Sequence, residues 1–240
     1  MWDVAGSDVA GTAPAGTDVD APGTRSAAVR PRARADRRQR ILDAAFTTFA
    51  REGYAQATVD AIASAAGVAK HTIYSHFGDK QTLLRETIAA ESDLALARNL
   101  AALELLRDVA ADTGPADMPA VLRSVARRFL DCYCDVRAHA VRRLLYAEAV
   151  QFPDLIDIIQ GRATDPVTEA LADRLARLSL AGRLHTPDPA SAAEQFAALL
   201  TGSMQSRSRL GTRHVPDDEL HAVATAAVEL FLTAYGPATT

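Results

Sequence analysis

The stretch from Thr58 to Leu84, TVDAIASAAGVAKHTIYSHFGDKQTLL, limits what this chain can fold into more than any other part of it. Val59, Ile62, Ala63 and Ala66 recur at i, i+3, i+4 and i+7, the apolar face of one short helix. Thr58 stands where an N-cap is needed, and Asp60 sits in the first turn, where the helix dipole favours a carboxylate. Gly67 follows the last periodic residue and can end the helix in the left-handed conformation. Val68 plugs the angle, and Lys70 to His76 make about two turns of a second helix. Ile73 and Phe77 share its inner face, which leaves Lys70, His71, Thr72, Tyr74, Ser75 and His76 outward, all able to donate or accept hydrogen bonds. Two short helices about a glycine turn, the second polar outside, form the arrangement whose second helix fits a DNA major groove.

GVAKHTIYSHFGDKQTLL resembles the DNA-binding signature of the TetR/AcrR family of bacterial regulators, a likeness that spans about Arg37 to Leu84. A fainter one covers Arg143 to Gly202, where RLLYAEAVQFPDL and AAEQFAALLTG are similar to the AefR-like ligand-binding half of that family. The resemblance implies an all-α homodimer that binds a pseudo-palindromic operator and lets go when a small molecule occupies the C-terminal domain. Tyr74, His76 and Lys80 match family positions that contact phosphates, whereas Lys70, His71, Thr72 and Ser75 lie where base edges can be reached. Thr58, Arg37 and Arg38 complete the candidate DNA-binding set. One departure stands out. The position opening the recognition helix is commonly Ser, and here it is Ala69, a poorer cap by roughly 1 kcal/mol. DNA itself would then help to order this helix.

The charge distribution agrees with that reading although the total does not. Net charge is −4. Residues 1–24 hold four Asp and no base, residues 25–85 hold eleven bases against five acids, and the remainder sums to −6. A basic module on an acidic body is what phosphate attraction at one end requires. The only lysines, Lys70 and Lys80, flank the recognition helix.

Residues 1–34 are rich in Ala, Gly, Asp, Pro and Thr without an apolar period and read as an unstructured tail. Its closing arginines, Arg25 to Arg40, fit either a solubilising extension or an arm that tracks phosphates beside the recognition helix. Residues 35–84 form the DNA-binding unit, opened by a helix from Asp36 to Glu52 and closed by Gly53 before the helix-turn-helix. Residues 85–240 form a helical body for ligand binding and dimerisation, entered by a long helix that Asp79 caps and that runs to about Arg107. Further helices are expected at about Pro119–Cys134, Arg137–Val150, Pro153–Ala181 with a kink at Gly161–Pro166, Pro189–Ser206 and Pro216–Tyr235. The fold class is all-α.

Within the body, Phe129, Tyr133, Leu145, Tyr146, Phe152 and Ile156 are candidate pocket residues for a small apolar or amphipathic effector. Glu148 completes the stripe of Val141, Leu144 and Leu145, an acid where an apolar residue is expected. A buried carboxylate needs a partner, either an internal arginine or a polar group of the ligand. Ala193, Phe196, Leu200, Ala224, Val228 and Phe231 line the broad apolar faces of the last two helices. The family resemblance assigns them to a four-helix dimer interface; burial within one subunit is the alternative.

Cys132 and Cys134 point about 200° apart on a helix and read as reduced thiols, not as a disulfide or metal pair. No phosphate loop, no H-E-x-x-H and no serine-nucleophile motif occurs, so no catalytic residue, metal or cofactor is expected, and the chain is not read as an enzyme. No apolar run reaches membrane-spanning length and the N-terminus lacks a basic start, which together imply a cytoplasmic protein with no membrane partner. The leading function is a ligand-responsive repressor. An activator, or a nucleoid-type DNA protein without ligand control, is the second class, and a small-molecule enzyme the remote third.

Overall fold

A computed structural model describes residues 26–111 and 117–237, and among these all regular structure is helical. The chain divides into two compact units, 1–37 and 38–240. Helix α1 spans Ser26–Gln56, so the expectation of an unstructured tail is corrected over 26–34; residues 1–25 lie outside the described ones. That segment has no apolar period; its alanines and arginines are among the strongest helix formers, and the helix runs on through Pro31 in spite of that residue's missing N–H.

Within the second unit, α1 buries Ile41, Leu42, Ala45 and Phe49 before Gly53, at φ +74°, breaks the helix as expected. Helix α2, Val59–Ala66, turns its four periodic residues inward. The Ala61 N–H donates to Thr58 Oγ1 at 3.1 Å, which satisfies one of the free N-terminal donors. Gly67 takes φ +64°; its N–H donates to Ser64 O and the Val68 N–H to Ala63 O, the paired bonds that close a helix on a left-handed residue. Helix α3, Lys70–Phe77, follows with Ile73 and Phe77 buried. Asp79 caps α4, Lys80–Ala111, by accepting from the Thr82 N–H at 2.6 Å. Its carboxyl is held below its ordinary pKa chiefly by that backbone bond.

The body comprises α5 (Met118–Tyr133), α6 (Val136–Glu148), α7 (Asp154–Ile159), a π turn (Gln160–Thr164), α8 (Asp165–Leu180), α9 (Pro189–Thr201), α10 (Met204–Arg207) and α11 (Asp217–Tyr235). Asp117, Asp135 and Asp188 cap α5, α6 and α9 through side-chain oxygens. The expected kink at Gly161–Pro166 takes the form of the π turn, with Pro166 placed in the first turn of α8, where its missing N–H costs nothing. The helix expected to run to Ser206 ends at Thr201 instead and restarts as α10.

Two apolar clusters hold this unit. One comprises the inner faces of α1 to α3 and the first part of α4, completed by Leu144 of α6, Phe152 of the α6–α7 connection and Leu155 of α7. The other joins Leu103 and Leu106 of α4 to α5, α8, α9 and α11, with Phe196 and Phe231 edge to face at 5.0 Å. At about 1.5 Å per residue the 32-residue α4 is roughly 48 Å long, and it contributes to both.

Ala193, Phe196, Leu200, Ala224, Val228 and Phe231 all belong to the second cluster and are at most 1% exposed. The expectation that they meet a second chain is corrected: they form the interior of one subunit. The stripe a helix packs against its own core is its most apolar one, so periodicity finds that face first.

Candidate nucleic-acid interface and ligand cavity

Helix α3 shows an exposed polar surface on a fixed base. Lys70, His71, Tyr74 and Ser75 are exposed, while Thr72 and His76 are half-buried. Lys70 Nζ lies 2.8 Å from Asp60 Oδ2, which pins the start of α3 to α2 and raises the lysine pKa, chiefly through that hydrogen bond. Ser75 Oγ donates to the Thr72 carbonyl. Ala69 has the extended backbone of an N-cap, with no side-chain oxygen to bond the first turn. Thr58 is occupied in capping α2. Lys80 lies with Nζ 4.4 Å from the centroid of the Tyr54 ring and 3.4 Å from the Ala55 carbonyl. Arg38 pairs with Glu86 at 2.6 Å and lies over the Phe77 ring, so it braces α1 against α3 and α4. Arg37, in the first unit, is exposed.

Beneath this surface, the connection into α7 is seated in the first apolar cluster. Phe152 meets Tyr54 edge to face at 4.8 Å, and the Arg85 guanidinium lies 5.5 Å from the Phe152 ring. Arg85 donates through Nε and Nη2 to both oxygens of Asp154, a bidentate pair that holds the Asp154 carboxyl below its ordinary value. Glu148 accepts from the Tyr54 N–H at 3.3 Å. The expected partner of Glu148 is thus neither arginine nor ligand but a backbone donor, left without an in-helix acceptor by the break at Gly53.

Between α4, α5, α6 and the π turn lies a cavity of about 260 Å³. Leu94, Ala95, Val141, Leu145, Ile159 and Ala163 supply its apolar wall; Glu91, Arg98, Cys132, Tyr133, Asp135, Arg137 and Arg142 its polar part. Tyr133 and Leu145 were expected here. Phe129 is in the body core, Phe152 and Glu148 are at the seat of α7, and Tyr146 and Ile156 are exposed; none of these five lines the cavity. Arg137 holds the buried Glu91 with two hydrogen bonds, lies 3.5 Å from Asp43 of α1, and stacks over Phe46. Arg142 stacks 3.8 Å over Tyr133 and donates to its carbonyl and to His139 Nδ1. Burial, then the positive charge of Arg142, lowers the His139 pKa and keeps the ring neutral. Gly211 passes so close that a Cβ there would stand 2.6 Å from the His139 ring, and its φ of +83° suits glycine alone. Cys132 and Cys134 are free thiols whose pKa burial pushes up, so the reactive thiolate is disfavoured.

Arg142 was readable in the sequence and missed. Ala138, Val141, Arg142 and Leu145 stand at i, i+3, i+4 and i+7, an apolar helical face with one cation in it. The Arg85–Asp154 pair, 69 residues apart, leaves no such trace.

On the outer side of α9 and α11, Ala222, Ala226 and Leu230 are exposed and Leu199 and Val223 half-buried, around a shallow groove. No group of residues that could hold a metal occurs among the described ones, and no described helix is long and apolar enough to cross a membrane.

Residues 41–87 match the sequence profile of bacterial regulatory proteins of the tetR family, and residues 120–237 that of the C-terminal domain of AefR-like transcriptional repressors. The HTH-type regulators SrpR and TtgW of Pseudomonas putida are each 43% identical over 53 residues, which is 22% of this chain. The match spans only 25% of SrpR and 40% of TtgW. A putative TetR-family regulator from Mesorhizobium loti MAFF303099 superposes with a TM-score of 0.76 at 27% identity, over 85% of this chain and 98% of that one. The flavonoid-responsive regulator FrrA gives 0.64, also at 27% identity, over 85% of this chain and all of that one. With both the helix-turn-helix and the AefR-like C-terminal domain of that family matched, the chain belongs to the TetR family of transcriptional regulators, which are not enzymes.

Proposed function

We propose that the protein is a homodimeric, operator-binding repressor whose grip on DNA is released when a small molecule enters the cavity between α4, α5 and α6. One observation carries the ligand part of this reading. Two elements that line the cavity, α4 and α6, also contribute Leu83, Leu84 and Leu144 to the apolar cluster that holds α2 and α3. A ligand that wedges α6 away from α4 therefore strains the seat of the recognition helix, and it releases DNA by favouring the state that binds DNA less well. That FrrA responds to flavonoids supports an amphipathic effector in the same kind of body.

For the DNA part, Lys70, His71, Thr72 and Ser75 are proposed to reach base edges, while Tyr74, His76 and Lys80 position the backbone. Two recognition helices on a two-fold axis read half-sites about one helical turn, or a multiple of it, apart. The dimer is proposed to form through the exposed Ala222, Ala226 and Leu230 of α11 and the neighbouring Leu199 of α9, apolar groups that face away from the core.

Selection of binding sites from random DNA tests the first part. A pseudo-palindrome is expected; binding without sequence preference would refute operator recognition and favour a nucleoid-type role. Leu145→Trp, which fills the cavity, should leave DNA binding intact and abolish release by any compound found to release the wild type.

A further inference from the structure

The cavity carries one charge that no described residue neutralises. Arg98 lies 3.6 Å from Asp135, and Arg137 holds Glu91. Arg142 forms no ion pair with any described residue, and its neighbour His139 is a neutral ring. A guanidinium has five donors in a planar fork. Nη2 alone serves both the Tyr133 carbonyl and His139 Nδ1, while Nε and Nη1 make no hydrogen bond to described residues. A cation at the end of α5 has a structural use, because Tyr133 O is one of that helix's last carbonyls. That use occupies one nitrogen and leaves the others open.

The opposite wall is apolar, formed by Leu94, Val141, Leu145 and Ile159. The volume, about 260 Å³, is just under the roughly 300–1,000 Å³ usual for small-molecule sites, so the occupant is compact. One unpaired positive charge calls for one negative charge. A phosphate dianion exceeds it, whereas a carboxylate matches the charge and forms a charge-assisted hydrogen bond with a single remaining N–H.

We propose that the effector is a compact hydrophobic carboxylate, an oxygen of which accepts from a guanidinium N–H of Arg142 that no described residue takes, with its hydrocarbon part laid on the apolar wall. This deepens the reading of the cavity as the effector site and rests on it. The inference differs from what Glu148 suggested in the sequence, namely a cationic or hydroxylated ligand, because Glu148 is not in the cavity.

The test uses the full chain with 2-naphthoate and trans-cinnamate against their neutral methyl esters. Binding is followed by calorimetry and release by fluorescence anisotropy on the selected operator. At least one acid should bind the wild type at least tenfold more tightly than its ester and release DNA. Arg142→Gln should remove that preference while the apolar contribution persists, and Leu145→Trp should abolish binding of both. The wild-type comparison needs no variant, so misfolding of Arg142→Gln leaves the question decidable. If acid and ester bind alike, are both blocked by Leu145→Trp and both release DNA, the carboxylate assignment fails and the effector cavity stands. Should acids bind with the expected preference but leave operator affinity unchanged, the anion site stands and the effector reading fails. If neither acid binds, the proposal is overturned outright.

Discussion

The two faces of α11 should answer oppositely to the same chemical change. Leu230 is 57% exposed in a single subunit and Phe231, its neighbour, is 1% exposed. Leu230→Asp removes few intrasubunit contacts, and its cost to the folded subunit should be about 0.5 kcal/mol, mostly helix propensity. In the proposed dimer the two-fold axis places the new carboxylate in the interface twice. If each copy loses about 2 kcal/mol of desolvation without a partner, dimerisation weakens by about 4 kcal/mol, nearly a thousandfold in dissociation constant. Phe231→Asp is another matter. Loss of the ring alone costs about 3–5 kcal/mol, to which the lost edge contact with Phe196 and a buried carboxylate are added. The sum approaches the roughly 5–15 kcal/mol that holds a domain together. Sedimentation equilibrium and urea unfolding on both variants separate the cases: Leu230→Asp should be a folded monomer with weakened operator binding, Phe231→Asp an unfolded or molten chain. A Leu230→Asp dimer as tight as wild type would refute the proposed interface, and a folded, monomeric Phe231→Asp would refute the burial argument.

Lys80→Ala should weaken binding to all sequences alike and lower the slope of log K against log salt by about one, as measured by filter binding. Substitution of His71 or Thr72 should instead change the sequence recovered by selection. Ala69→Ser should raise stability by up to about 1 kcal/mol in thermal melts, since the backbone at 69 already has the extended geometry of a cap and lacks only the oxygen. The Asp154 carboxyl is depressed below its ordinary value of 3.8 by Arg85, so the stabilisation it brings is present above about pH 4 and fades as pH falls through the lower folded value. Asp154→Asn should therefore flatten the acid limb of the stability profile below about pH 4, read by circular dichroism.

The DNA-binding unit was legible almost residue by residue because its determinants are local. Thr58, Gly67 and Asp79 act within four residues of themselves, through caps and a left-handed turn whose residue preferences are steep. The helical body was legible as helices but not as a packing. Each of α9 and α11 has two apolar stripes, and hydrophobic period alone does not say which meets its own core; the stripe with Phe196 and Phe231 proved internal. Glu148 was rightly singled out as an acid on an apolar stripe. Its partner, the Tyr54 N–H, is 94 residues away and exists only because Gly53 breaks the helix there.

The same limit bears on how the body is tied to the helix-turn-helix. Sequence shows one long helix leaving the recognition helix for the body, and α4 does span both clusters. It does not show that α6 and α7 return to that unit. Arg137, on the cavity wall, reaches Glu91 of α4 and Asp43 of α1, while Phe152 is lodged against Tyr54 and Arg85. Packed cores rearrange between discrete states and do not deform smoothly, so a ligand that displaces α6 must either break the Arg137 contacts or carry α1 and α4 with it. In both cases the contacts that tie α6 to the helix that bears Lys80 and to the helix that buries Phe49 beneath α2 and α3 are loaded. In the proposed release mechanism, the route from cavity to DNA is a clamp with two arms, one along α4 and one through α6 and α7. Arg85–Asp154 and Glu148–Tyr54 are where the second arm is fastened.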